Sequence, residues 1–250
     1  MTAAGVVVLV GVGVLAGVVS TVVSLASLVS YPVLLAVGLP PLSANVTNTV
    51  ALTFTGVGAV LGSRAELAGQ GGRVRRLGVL TALGGGAGAA LLLLTPARTF
   101  QVVAPGLIGA ASLLLLAQPR IGRLAGGGGQ QRSRWLRAAV FGTAVYVGYF
   151  GAAGGILMLA VLAPMLDQPL VRTNAVKNAI SGLANGIAAV GFAAFGPVHW
   201  SAALPLAAGF LVGGWLGPAF VRRLPGQALR VLVGACGLLI AVKLGLDTYR

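Results

Sequence analysis

Long apolar runs separated by short polar connections follow one another along the whole chain. A membrane-crossing helix needs about 20 consecutive apolar residues. Runs of about this length or longer lie near 4–30, 45–62, 77–95, 100–117, 136–163, 174–195, 200–221 and 227–246. The pattern therefore predicts an all-α, polytopic membrane protein with about eight transmembrane helices.

The predicted spans fall into two sets of four. Residues 1–118 form the first repeat and residues 135–250 the second. Between them, residues 119–134 are rich in Gly and Arg, a composition typical of a flexible linker, which we place in the cytoplasm. The first uncharged stretch is too long for two simple spans and contains Pro40 and Pro41, which would interrupt a helix. We expect broken or re-entrant segments after spans 1 and 5.

The composition agrees with a protein of the lipid bilayer. The chain is 57% hydrophobic and 8% charged, whereas a soluble domain carries about 25% charged residues. Seventeen Lys and Arg against three Asp and Glu give a net charge of +14. Most of the Arg lie in the connections, where they set topology and contact anionic lipid, so we expect no nucleic-acid partner.

The basic connections also predict an orientation. One set of connections contains Arg64, Arg73, Arg75, Arg76, Arg120, Arg123, Arg132, Arg134 and Arg137, and the other contains Arg98, Arg172, Arg222, Arg223 and Arg230. The more basic side faces the cytoplasm, so both termini are expected there, in a bacterial-type inner (plasma) membrane. The basic cluster in 222–230 disagrees with this scheme, as it would if the number of spans in the second half were wrong by one.

A duplicated segment relates the two halves. The stretch "LAVGLPPLSANVTNTVALTFTGVGAV" aligns with "LAPMLDQPLVRTNAVKNAISGLANGIAAV" at a displacement of about 128 residues. In this alignment Asn45, Asn48 and Thr49 correspond to Asn174, Lys177 and Asn178. Each copy follows a proline-containing loop and puts polar side chains on the first turns of a helix. Duplicated, interrupted polar segments of this kind indicate the midplane site of a transporter.

These residues carry a resemblance to a known family. The segments "AVGLPPLSANVTNT" and "GAAGGILMLAVLAPMLDQPLVRTNAVKN" resemble the sulfite exporter TauE/SafE family, also called the 4-toluene sulfonate uptake permease family. Its Gly-rich signature is kept in part as Gly151, Gly154 and Gly155, whereas the first half has "VSLASL" at the corresponding place. The resemblance covers nearly the whole chain. It implies a multi-pass carrier for small sulfur-containing anions such as sulfite, sulfonates, sulfoacetate or thiosulfate.

The polar residues of the duplicated segments are suited to binding an anion. A helix N-terminus offers unpaired N–H groups and partial positive charge, and amide, hydroxyl and ammonium groups add further donors. We expect the two openings to meet within the membrane. The candidate substrate-binding residues are Asn45, Asn48, Thr49, Asn174, Lys177, Asn178, Ser24, Tyr149 and Arg172.

Other roles are open for several of these residues. Lys177 could extend to the lipid headgroups from the first turns of its helix. Ser20, Ser24 and Ser27 share one helix face, but membrane hydroxyls often bond to their own backbone. Tyr149 is as well suited to core packing as to gating. An anion-selective channel built from the same donors is the alternative function.

The sequence offers no constellation for catalysis. One His, one Cys and three scattered acidic residues cannot form a four-ligand metal site, and no nucleophile lies beside a base. We therefore expect neither enzymatic activity nor a cofactor; a homo-oligomer is possible. Pairs of glycines four residues apart predict close helix packing; they are Gly13 with Gly17, Gly84 with Gly88, Gly182 with Gly186 and Gly213 with Gly217.

Overall fold

The computed structural model describes residues 3–124, 130–151, 154–166 and 168–221, together with isolated positions between 235 and 246. Within these residues every regular element is a helix, which confirms the all-α prediction. The helices are α1 (Ala3–Val23), α2 (Ala26–Ala36), α3 (Pro41–Gly62), α4 (Arg64–Leu67), α5 (Gly71–Leu94), α6 (Ala97–Leu124), α7 (Gln130–Tyr149), α8 (Gly154–Leu166), α9 (Leu170–Phe195) and α10 (Trp200–Val221).

Five of the described helices are long and apolar enough to cross a membrane, namely α1, α3, α5, α9 and α10. The predicted span near 227–246 lies largely outside the described residues. Helices α6 and α7 extend into the predicted linker 119–134, since α6 ends at Leu124 and α7 begins at Gln130. The division of the chain into two repeats and a linker stays a prediction.

Two of the predicted spans are each broken into a pair of helices. In the run near 4–30, α1 ends at Val23 and α2 begins at Ala26; in the run near 136–163, α7 ends at Tyr149 and α8 begins at Gly154. Ser24 has φ 64° and Gly151 has φ 77°. A left-handed residue cannot continue a right-handed helix. Each of these runs is therefore broken inside its length, ahead of the predicted position. The chain is interrupted again at the predicted prolines, because α2 ends at Ala36 and α3 begins at Pro41.

The long helices α3 and α9 are antiparallel. Gly56 of α3 packs against Gly182 of α9 where the helices cross, and Val46 lies beside Gly196 at one end. At the other end, the guanidinium of Arg172 donates to the carbonyl oxygen of Ala68, with Nη2 and O 2.8 Å apart. The start of each helix therefore lies near the end of the other.

Glycine contacts fix the direction of the remaining long helices. Helix α1 runs parallel to α10, because Gly13 and Gly17 pack against Gly209 and Gly213 in the same order. Helices α5, α7 and α9 run together in the direction opposite to α3, as contacts of α5 glycines with Ala144 and Ala184 show. All four predicted small-residue pairs contact a neighbouring helix, which confirms the close packing.

These directions turn both broken segments into hairpins. Helices α1 and α3 both begin at the end where α10 begins, so the chain enters through α1, reverses after Ser24 and returns through α2. The α7–α8 pair does the same from the opposite end. The two breaks meet, because Ser24 packs against Gly155. Neither run is therefore the single continuous helix that was predicted for spans 1 and 5. Hydropathy measures the length of a run but not a reversal within it.

This path also corrects the grouping of the basic residues. Arg172 binds carbonyl oxygens of Glu66 and Ala68, so it shares an end of the molecule with Arg64 and Arg73, not with Arg98 as predicted. Helix α10 ends at Val221 on this same basic end. The sequence cluster that begins with Arg222 lies outside the described residues, so its disagreement with the predicted orientation is not tested.

Candidate functional site

An internal cavity of about 50 Å³ lies where the two breaks meet. We call it the main cavity, and it has room for a few water molecules. Its lining combines residues of both hairpins with one face of α9. The lining residues are Ser20, Ser24, Ala26, Ser27, Leu52, Val147, Gly151, Gly155, Lys177, Asn178, Ser181 and Asn185.

Lys177 brings the charge to this cavity. Its side chain is 1% exposed, and Nζ donates a hydrogen bond to the hydroxyl of Ser24. The burial excludes the alternative in which the ammonium extends to the headgroups. None of the described residues that line the main cavity is acidic. Placing an ammonium at membrane depth costs about 2.5–3.5 kcal/mol, so a negatively charged occupant would stabilise it.

One face of α9 adds uncharged polar groups. Asn178, Ser181 and Asn185 are spaced by three and four residues and therefore share a face with Lys177. Asn178 Nδ2, Ser181 Oγ and Asn185 Oδ1 are buried and have no hydrogen-bond partner among the described residues. The sequence prediction contained Asn178 but missed Ser181 and Asn185. Their helical spacing from Asn174 was the available signal.

A second, smaller cavity of about 30 Å³ lies beside the main one, between α1, α3 and α9. The two cavities share Ser20, Asn178, Ser181 and Asn185, and the second adds Thr55 of α3. The Thr55 hydroxyl is buried and unpaired within the described structure. No charged side chain of the described residues lines this space, so we call it the neutral cavity.

Asn45 and Asn174 form a crossed pair of hydrogen bonds. Asn174 Nδ2 donates to the Thr21 carbonyl oxygen at 2.9 Å, and Asn45 Nδ2 donates to the Tyr149 carbonyl oxygen at 3.1 Å. Each amide thus joins the start of a long helix to the last turn before the break in the other half. Both bonds fix the hairpins, and neither Asn lines the main cavity.

The remaining polar residues of the first opening are occupied by local partners. Asn48 Nδ2 donates to Ser27 Oγ at 3.1 Å, and Asn48 Oδ1 accepts from Ser30 Oγ at 2.5 Å. Thr49 Oγ1 donates to the Asn45 carbonyl oxygen at 2.9 Å. The two openings do not meet as expected, because α3 and α9 are antiparallel and begin at opposite ends. The hairpin breaks meet instead.

Comparison with known proteins now decides the family. The model of the family described as sulfite exporter TauE/SafE matches residues 9–244. The chain belongs to the sulfite exporter TauE/SafE family. It is therefore a membrane transporter, and the resemblance predicted from the sequence is confirmed. A transporter family is consistent with the expected lack of enzymatic activity. No curated protein and no solved structure matches the chain significantly.

Two predicted site residues of this TauE/SafE chain lie away from the main cavity. The Tyr149 hydroxyl donates to Thr95 Oγ1 at 3.5 Å, and its ring packs against Phe100 with centroids 6.2 Å apart. Arg172 is exposed and donates through Nε to the Glu66 carbonyl oxygen at 3.3 Å. A role for either residue in binding stays a prediction.

A third cavity, larger than the main and neutral cavities, is a different kind of space. It measures about 510 Å³, lies between α3, α5 and α9, and has apolar walls that include the exposed side chains of Val57, Leu183 and Ile187. Thr53 is its one polar side chain, and the Thr53 hydroxyl donates to the Thr49 carbonyl oxygen. Apolar walls suit lipid acyl chains. They cannot replace the hydrogen bonds that an anion makes with water, so this space does not suit an anion.

Proposed function

We propose that this TauE/SafE transporter carries small sulfur-containing anions, such as sulfite, sulfonates, sulfoacetate or thiosulfate, through the main cavity. The observation that carries the proposal is a buried Lys177 in a polar cavity whose described lining contains no acidic side chain. The ammonium, Asn178 Nδ2 and the Ser181 hydroxyl would replace part of the hydration shell of the anion. The volume of about 50 Å³ favours the smallest of these anions.

The hairpins suggest how the anion is passed across. They enter from opposite ends, and residues of both breaks line the main cavity. In transporters with oppositely oriented halves, one half rocks against the other around a fixed central site. Movement of one hairpin would open the cavity to its own end while the other hairpin keeps the opposite end closed.

An anion channel is the second candidate, since the same donors could line a continuous path. The separate small cavities favour the carrier, because a channel needs a connected path through the whole membrane. For orientation, we propose that the basic end faces the cytoplasm of the inner membrane. The N-terminal end of α1 then lies on the opposite side, in contrast to the predicted cytoplasmic N-terminus.

The test is counterflow in liposomes that contain the purified protein. Vesicles loaded with unlabelled sulfite should accumulate radiolabelled sulfite from outside, and thiosulfate, sulfoacetate and taurine should be compared as competitors. Vesicles with the Lys177→Met variant are the control. Absence of counterflow for every one of these anions would contradict the proposal. Unitary conductance steps in planar bilayers, without counterflow, would support the channel.

A further inference from the structure

The neutral cavity is surrounded by unpaired polar groups. Thr55 is 4% exposed, Asn178 9% and Asn185 6%; all three line this space, and each has a buried polar atom without a partner among the described residues. The Ser181 hydroxyl is a fourth such group. Leaving one buried polar group unpaired costs about 1–3 kcal/mol. Four around a single small volume indicate that a polar ligand completes their hydrogen bonds.

The chemistry of these groups limits the ligand. Asn178 Nδ2 can only donate, the hydroxyls of Thr55 and Ser181 can donate or accept, and Asn185 Oδ1 can only accept. A fully deprotonated oxyanion has only acceptor oxygens, so one of them would face Asn185 Oδ1 without a proton between them. An oxyanion that keeps one O–H group satisfies both kinds of partner.

The charge of the residues that line the two cavities also favours an oxyanion that keeps one proton. Lys177 is the one cationic side chain among the described residues that line either cavity. A monoanion balances this single charge. A dianion would leave one negative charge without compensation in a medium of low dielectric constant, which is strongly unfavourable.

We infer that the neutral cavity binds the O–H group of a protonated oxyanion and that the carried species is the monoprotonated monoanion, which for sulfite is hydrogen sulfite. This inference rests on the proposed function. The negatively charged sulfur–oxygen group faces Lys177, and the O–H donates to Asn185 Oδ1. Each anion then crosses with its proton, so one net negative charge moves per turnover. In a compartment of higher pH the proton dissociates and leaves the sulfite dianion.

The direction of the pH change inside vesicles distinguishes the two forms. Proteoliposomes are loaded with a pH-sensitive dye, and valinomycin with equal K⁺ on both sides holds the membrane potential at zero. Inward transport of hydrogen sulfite into a neutral lumen releases protons and acidifies it. Inward transport of the dianion takes up protons and makes the lumen more alkaline. Protein-free vesicles and vesicles with Lys177→Met correct for sulfur dioxide that diffuses through lipid.

We expect acidification in step with uptake of labelled sulfite, uptake that is faster at mildly acidic than at alkaline pH, and no competition by sulfate. Counterflow of sulfite with alkalinisation and faster uptake at alkaline pH would overturn the inference and leave the proposed function intact. Failure of sulfite counterflow at every pH would remove both.

Matched variants test the cavity itself. Thr55→Val and Thr53→Val make the same change two residues apart on α3, but the Thr53 hydroxyl bonds within its own helix, away from both cavities. Thr55→Val should raise the half-saturation concentration for sulfite about tenfold, and Thr53→Val should not. Asn185→Leu should weaken binding and abolish the preference for acidic pH. Wild-type half-saturation and pH preference in folded Asn185→Leu would show that the neutral cavity does not bind the anion.

Discussion

Asn48 of α3 and Lys177 of α9 correspond in the predicted alignment of the two halves, yet their surroundings differ. Both polar atoms of the Asn48 amide are hydrogen bonded to hydroxyls, those of Ser27 and Ser30, which belong to the neighbouring helix α2. Among the described residues Lys177 has a single hydroxyl partner, and it lines a cavity with polar groups. The first opening therefore stabilises a hairpin, and the second has donors left for a ligand. The two residues hold corresponding positions in the duplicated segments, but their hydrogen-bond partners give them different roles.

The residues at the two helix breaks also differ in their backbone strain and in their hydrogen bonds. Gly151 adopts a left-handed conformation without steric cost, whereas Ser24 adopts it at a cost of about 1–3 kcal/mol. Ser24 supplies the hydroxyl that accepts from Lys177, and Gly151 has no side chain. A strained residue in the first hairpin thus positions the charged residue of the second half. The contrast between the two halves can be tested by substitutions at five positions.

The largest effect on transport should come from Lys177→Met. This change keeps the length of the side chain but removes the charge, so sulfite counterflow should fall by a factor of about 100 or more. The free energy of unfolding should stay the same or rise, because the cost of burying an ammonium is gone. Counterflow and chemical denaturation in detergent measure the two quantities. Arg98→Ala, an exposed change at the opposite end of the molecule, is the control. Near wild-type counterflow by folded Lys177→Met would argue against the site.

Asn48→Leu should act on stability instead of binding. The substitution removes two buried hydrogen bonds and leaves the Ser27 hydroxyl without its donor, so the free energy of unfolding should fall by about 2–4 kcal/mol. The folded fraction should keep the wild-type half-saturation concentration, which is measured by counterflow normalised to folded protein. A rise in that concentration at unchanged stability would show that the first opening also contacts the anion.

Substitutions at the breaks should change stability in opposite directions. Ser24→Gly relieves the backbone and should stabilise the protein by about 1 kcal/mol, while loss of the hydroxyl weakens binding about three- to tenfold. Gly151→Ala puts a Cβ on a left-handed residue and should destabilise it by about 1–2 kcal/mol. Thermal unfolding and counterflow separate these effects. If Ser24→Gly bound sulfite as tightly as wild type, the Ser24 hydroxyl would have no positioning role.

The smallest effect is expected for Arg172→Ala. Its guanidinium is exposed and bonds to two backbone carbonyl oxygens of the connection between α3 and α5. Its removal should cost about 0.5–1 kcal/mol of unfolding free energy and change the transport rate by no more than about twofold. Initial rates of counterflow, compared with the Arg98→Ala control, measure this. A tenfold loss of the transport rate would indicate that Arg172 contacts the substrate.

The sequence by itself determined the helical class, the membrane location and the family of this protein. Each follows from local properties: the length of apolar runs, the scarcity of charge and the residues of the duplicated segments. The sequence also identified Lys177, Asn178 and Ser24 as candidates, because a buried ammonium, amide or hydroxyl in an apolar run needs a polar neighbour wherever the chain folds. It missed Thr55, Ser181 and Asn185, whose residue types are common in ordinary membrane helices.

Only the tertiary structure decided which of these groups share a cavity. Thr21 lies 153 residues before Asn174 in the chain, and Ser24 lies the same distance before Lys177, yet both pairs are hydrogen bonded. Reversal of the two hairpins and the antiparallel course of α3 and α9 bring these pairs together. A hydropathy profile predicts neither feature, because it does not depend on the direction in which a helix runs. Whether a polar group holds the fold or stays free for an anion depends on the distant partner that reaches it.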